Sequence, residues 1–212
     1  MARRNDTRQR LLEAGMALFA ERGFGATSVA DIEEAVGLQP RRGGLYKHFA
    51  NKHDLLETAV REHLADAESL ARTVGELDLT TIEMTADGLR PIVEGLARMF
   101  LAEMDRLEAL TRVLEHDGGR LGELTSEVKE RAVDLSYRAA AGLIAAVAPW
   151  IEDPDATSVV FLAPLVALRR TSWTFGSAPL DLDDDRFLRA FVSAVVIALI
   201  PETVDGLTEL LD

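Results

Sequence analysis

Apolar side chains recur along this chain at three- and four-residue steps, and that spacing constrains its fold more than any other feature. Leu12, Met16 and Phe19 fall at i, i+4 and i+7, with Leu11, Gly15 and Leu18 beside them, which gives one apolar helix face. Val93, Leu96, Phe100, Leu107, Leu110 and Leu114 keep the same rhythm through residues 88–116. An Ala-rich stretch, 121–149, repeats it with Leu124, Val128, Leu135 and Leu143. No segment alternates apolar and polar residues as a half-buried strand would. The spacing predicts an all-α protein.

Start and stop signals divide the N-terminal part. The first helix is expected to open at Asp6, with Gln9 completing a capping box, and to end at Gly23 in the left-handed conformation with Phe24 folded back. Ser28 and Asp31 make a cap for a second helix, whose inward side is Val29, Ile32 and Val36 and which Gly37 stops. Pro40 has no N–H to leave unsatisfied, so a short third helix is expected to begin there and run through Leu45 and Phe49. Asn51 and Asp54 cap a fourth, reaching about Val74. Short helices joined by a tight turn between the second and third form a helix-turn-helix pattern.

The remainder reads as a separate helical bundle. We expect a helix-turn-helix domain over 1–50, a linking helix over 51–74, and a helical bundle over 75–212. The last two long helices, 156–175 and 185–200, are apolar nearly all round, so each needs a second partner beside its own core. A second copy of the chain is the natural candidate, which predicts a C2 homodimer. Its seam is expected at Leu165, Arg169, Trp173, Phe187, Phe191 and Val195, with Arg169 and Arg170 paired to acids of 181–185.

Charge separates the two parts. The net charge is −13, yet residues 1–62 hold ten Lys/Arg against nine Asp/Glu, so the deficit falls on the rest. From Ala35 to His53 there is no Asp or Glu at all, while Arg41, Arg42, Lys47 and Lys52 stand among His48, His53 and Tyr46. That window is the footprint of a polyanion partner. A helix-turn-helix places its second helix in the major groove, N-terminal residues first. Arg41 and Arg42 would then take guanine edges or phosphates. Gly43 and Gly44 would let the backbone come close, with Gln39 in the same turn. Tyr46 and Lys47 would reach phosphates, or the groove floor in the case of Lys47, and Lys52, Thr27 and Ser28 would reach phosphates too.

"TRQRLLEAGMALFAERGFGATSVADIEEAVG", followed by "GGLYKHFANKHDLL", resembles the DNA-binding domain of the tetracycline-repressor (TetR) family of transcription regulators. The markers are Phe19, Gly23, Thr27, Ile32, Gly37, Leu45-Tyr46, His48-Phe49 and Lys52. The resemblance covers about residues 5–60. It implies DNA contacts at Thr27, Tyr46, His48 and Lys52, with specificity from residues just before Leu45. One departure stands out. Seven residues separate Gly37 from Leu45, against five in the usual family pattern, which leaves open which of Gln39, Arg41, Arg42 and Gly43 reads bases. The resemblance further implies repression from a pseudo-palindromic double-stranded DNA operator by a homodimer, released by a small-molecule effector bound in the C-terminal bundle.

For that second site the residues offer Glu103, a carboxylate on an apolar stripe between Phe100 and Leu107. Such a group must be paired or solvated. It would meet a cationic or hydroxylated ligand, or else pair with Arg98, Arg106 or an arginine from elsewhere in the chain. Met99, Met104, Trp150, Phe161 and Trp173 are further candidates for lining a pocket.

Other classes find little support. There is no Cys, which excludes disulfides, thiol catalysis and Cys-ligated zinc. No HExxH, GxGxxG, GxSxG or phosphate-loop motif occurs, and none of the four His follows Glu in a Glu-x-x-His pair. We therefore expect no enzyme, no catalytic residues, no metal and no cofactor, against the alternatives of a helical-bundle enzyme or a protein-interaction module without DNA. The N-terminus lacks an apolar run of signal-peptide type, and the longest apolar runs are too short to cross a bilayer. A cytoplasmic protein without membrane contact is expected.

Overall fold

The computed structural model describes residues 2–79 and 82–200 of the chain. Its described residues fold into eight α-helices and no strand: α1 (Ala2–Arg22), α2 (Val29–Ala35), α3 (Lys52–Gly75), α4 (Ala86–Asp117), α5 (Glu123–Val128), α6 (Leu135–Val147), α7 (Pro154–Phe175) and α8 (Asp184–Leu199). A π-helical stretch, Lys129–Asp134, joins α5 to α6, so the single Ala-rich helix expected over 121–149 carries a local unwinding. Two compact units result. One holds the chain up to Ala67 together with Leu107–Ala132; the other holds Glu68–Arg106 and the chain from Val133. Helices α3 and α4 each contribute to both units.

In the first unit the apolar face of α1 supplies Leu11, Leu12, Met16 and Phe19, all buried. Ile32 and Val36 of α2 pack with them, as do Leu55, Val60 and Leu64 of α3 and Leu110 and Val113 of α4. The expected caps are in place at α2, where Ser28 Oγ accepts from Asp31 N and Asp31 Oδ2 accepts from Ser28 N at 2.7 Å. At α3, Asn51 Oδ1 accepts from Asp54 N at 2.9 Å and Asp54 Oδ2 accepts from Ala50 N at 2.7 Å. Helix α1 departs from expectation by starting at Ala2 rather than Asp6. Ala and Arg are strong helix formers and carry the helix back past the expected cap.

The larger departure is at the third helix. Only a 3-10 turn, Leu45–Lys47, forms where a helix from Pro40 through Phe49 was expected. Arg41 has φ +65° and Gly43 φ +72°, and a right-handed helix cannot run through left-handed residues. Arg41 and Arg42 therefore stand on a loop ahead of the 3-10 turn.

The second unit packs α6, α7 and α8 with the N-terminal part of α4. One cluster gathers Leu89, Ile144, Val147, Val192 and Val196. A second gathers Ala97, Leu101, Leu165, Leu168 and Leu188. Asp153 and Asp183 cap α7 and α8 by accepting from Ala156 N and Arg186 N. No helix among the described residues is long and apolar enough to cross a membrane.

Candidate functional site

Between Gly37 and the 3-10 turn the backbone makes a seven-residue excursion, and one side chain organises it. Glu33, only 1% exposed, points its carboxylate into the excursion. Its Oε2 accepts from Arg41 N and its Oε1 from Leu45 N, each at 2.9 Å. Its own carbonyl accepts from Leu38 N at 2.8 Å. A left-handed Arg41 costs on the order of 1–2 kcal/mol, and the hydrogen bond from its amide to a charged acceptor offsets that. Gly44 sits against the same carboxylate: a Cβ there would lie 3.3 Å from Glu33 Oε1 and 2.9 Å from Leu38 Cδ1. Its lack of a side chain serves this packing.

What the excursion presents outward is cationic and polar. Gln39, Arg41, Arg42, Tyr46 and Lys47 are exposed, and His48 is half-buried beside Phe49. Ser28 is also exposed, at the start of α2. Between Ala35 and His53 the chain itself offers only cationic and neutral side chains, within a sequence of net charge −13.

Two expected phosphate contacts turn inward instead. Thr27 is 1% exposed, and its hydroxyl donates to the Gly23 carbonyl at 2.9 Å with the Leu18 carbonyl at 3.2 Å. Lys52 donates from Nζ to the carbonyls of Phe24 at 2.5 Å and Thr27 at 2.6 Å, over the Phe24 ring at 4.2 Å. Both residues tie down the α1–α2 connection. A connecting segment next to buried helices has carbonyls to satisfy, and these side chains supply donors to them. Asp117, 6% exposed at the end of α4, completes the junction by accepting from Phe24 N at 2.7 Å.

Glu33 and Asp117 were missed in the sequence, though each left a trace. Glu33 lies at i+4 from Val29 on the inward side of α2, the same kind of signal that singled out Glu103. Asp117 is an acid at a helix C-terminus, where the helix dipole disfavours negative charge.

The second unit holds a cleft of about 160 Å³, lined by α3, α4, α6, α7 and α8. Leu96, Phe100, Leu143, Phe161 and Phe191 form much of its wall. Among the lining residues Ser136 alone carries a hydroxyl, and none carries a charge. Met99 and Phe161 are on the wall, whereas Glu103, Met104, Trp150 and Trp173 are not. Glu103 is buried and lies 3.5 Å from Arg106 Nη1, one turn on, so its charge is met within α4. Trp150 is 40% exposed.

The expected seam residues face inward. Leu165 is fully buried, Val195 is 7% exposed, and Phe191 lines the cleft with Phe187 stacked on it at 6.0 Å. Trp173 is half-buried. Arg169 is engaged within its own chain, its Nη1 2.7 Å from Asp184 Oδ1 and its Nε 2.8 Å from Asp105 Oδ1. The hydrogen bond from Arg169 holds the Asp184 carboxyl below its ordinary range. Helices apolar all round carry no phase in their sequence, so the core-facing side could be taken for the outer one. The outer side is Val159, Val160, Ala163, Ala167 and Phe175 on α7, and Ala190, Ala194 and Ile197 on α8.

Residues 11–59 match the family model described as bacterial regulatory proteins, tetR family. The N-terminal segment is therefore similar to the DNA-binding domain of that family. A transcriptional repressor of Mycobacterium tuberculosis, KstR2, is 34% identical over 104 residues, 49% of this chain and 46% of the repressor. The repressor AcnR of Corynebacterium efficiens is 36% identical over 77 residues, 36% of this chain and 38% of the other. The chain thus spans about half the length, or less, of the curated relatives it matches. Solved structures of similar fold cover most of the chain. The fatty acid degradation regulator FadR of Bacillus halodurans has a TM-score of 0.60 at 17% identity, covering 92% of this chain and 95% of that one. A TetR-family regulator of Marinobacter aquaeolei has a TM-score of 0.58 at 22% identity, covering 91% and 95%. At such identities these two speak for the TetR fold and nothing finer.

Proposed function

We propose that this chain is a ligand-responsive DNA-binding transcriptional regulator, a repressor that binds a pseudo-palindromic operator as a homodimer. The observation that carries the reading is the exposed, acid-free excursion of Arg41, Arg42, Tyr46 and Lys47 on a TetR-type domain. A free backbone of alternating phosphates is the partner such a patch suits, and a guanidinium pair at its tip suits guanine edges. The outward apolar side of α7 and α8 is the surface that a second copy would cover, which gives two reading heads on one two-fold axis.

The effector is an uncharged, largely apolar molecule. A charged group in the cleft would meet no counter-ion among the lining residues, and burying it would cost several kcal/mol. The cation-binding role considered for Glu103 is set aside for that reason. Selection of retained duplexes from a random-sequence library tests the reading. Recovery of an inverted repeat with half-sites about one helical turn apart supports it. Retention without any shared sequence at moderate salt overturns it.

A further inference from the structure

We propose that Glu33 is the residue that sets base-reading specificity without touching DNA: a positioning residue whose buried carboxylate fixes the conformation of the Arg41–Arg42 loop. The inference rests on the DNA-binding reading above. Three amides spread over the excursion, those of Leu38, Arg41 and Leu45, all converge on this one residue. The loop runs seven residues between Gly37 and Leu45 and carries left-handed residues at Arg41 and Gly43. A loop with that much freedom presents its arginines in many directions unless something holds its backbone. A carboxylate suits the task because both of its oxygens only accept. An amide in its place would turn one acceptor into a donor facing an N–H.

Glu33→Gln separates positioning from charge, because the two predict opposite signs. The substitution removes a negative charge from the DNA-facing domain, so electrostatics alone tightens binding to every duplex. Loss of positioning instead weakens the selected operator by roughly ten-fold or more, since mis-set base contacts are lost. Binding to random duplex holds or tightens slightly. Gly44→Ala is the second variant, because its added Cβ crowds Glu33 Oε1 and Leu38 while leaving every charge in place. Ile32→Val, a fully buried neighbour that touches none of the three amides, controls for general destabilisation.

The measurements are operator and random-duplex affinities for all four proteins, with backbone amide exchange at Arg41 and Leu45. The expected result is faster exchange at one or both amides and a collapsed operator-to-random ratio in Glu33→Gln and Gly44→Ala, with the ratio kept in Ile32→Val. A wild-type-like ratio in a folded Glu33→Gln protein overturns the inference, and the same ratio in Gly44→Ala does so if Glu33→Gln does not fold. A wild-type protein that selects no sequence overturns the DNA-binding reading itself, a different and recognisable outcome.

Discussion

Lys52→Met is the substitution whose consequence changed most between sequence and structure. As a phosphate grip, Lys52 would contribute to DNA affinity and nothing to stability. Placed as it is, with Nζ on the carbonyls of Phe24 and Thr27 and over the Phe24 ring, it holds the α1–α2 connection. Methionine keeps the aliphatic stem and deletes the ammonium. Two charge-assisted hydrogen bonds are lost, each contributing roughly 1.5–3 kcal/mol, and a cation–π contact of about 1 kcal/mol goes with them. The ammonium's own desolvation is regained, and water can reach one of the two carbonyls at this half-buried site. The net loss is about 2 kcal/mol, or about 4–8 °C in the melting temperature of a chain this size. Urea unfolding followed by circular dichroism measures the first. The slope of log affinity against log salt on a fixed duplex measures the second, and it should stay at the wild-type value. Unchanged stability together with a slope smaller by about 0.9 would refute the inward placement and restore the phosphate contact.

Three further outcomes follow from the same geometry. Asp117→Asn trades a carboxylate acceptor for a neutral one at Phe24 N and should cost about 1–2 kcal/mol, read by the same unfolding experiment. Val160→Asp, at a position 66% exposed on α7, should leave the melting temperature of the isolated chain nearly unchanged while shifting sedimentation to the monomer. An unshifted dimer at micromolar concentration would move the seam elsewhere. Asp184 has its pKa lowered by the Arg169 hydrogen bond, so its contribution is present above the ordinary carboxylate range and is lost as pH falls through the lowered value. Half-exposed, it contributes no more than about 1 kcal/mol. The stability difference between wild type and Asp184→Asn should therefore be visible at pH 6 and vanish at the acid end. A difference that persists in acid would mean the pair is not what the substitution removes.

How legible each feature was depends on the range of the interaction behind it. Ser28 with Asp31, and Asn51 with Asp54, cap their helices as read, because a cap is closed within four residues and needs no tertiary partner. The long helices likewise follow their periodicity, since the apolar stripe is itself the reason each helix is stable in a folded chain. The acid-free window was visible because surface charge is a matter of composition. The helix expected from Pro40 failed for a complementary reason. Local signals favoured a helix start, while the decisive hydrogen bonds come from Glu33, eight and twelve residues away from the amides it holds.

By itself, the amino-acid order determined the long helices and the caps of α2 and α3, the placement of positive charge on one small domain, and the family resemblance. Tertiary structure alone decided which way side chains of ambiguous chemistry face. Lysine and threonine suit a phosphate and a stray carbonyl equally well, and only the position of the α1–α2 connection commits Lys52 and Thr27 to the carbonyls. A carboxylate on an apolar stripe suits a ligand or a neighbouring cation, and only the cleft wall shows that Glu103 is outside it. A helix apolar on every side has no phase until its neighbours are in place, so the inner and outer faces of α7 and α8 could not be told apart beforehand. In each case the sequence specifies a group's chemistry, while its partner is set by contacts between residues far apart in the chain.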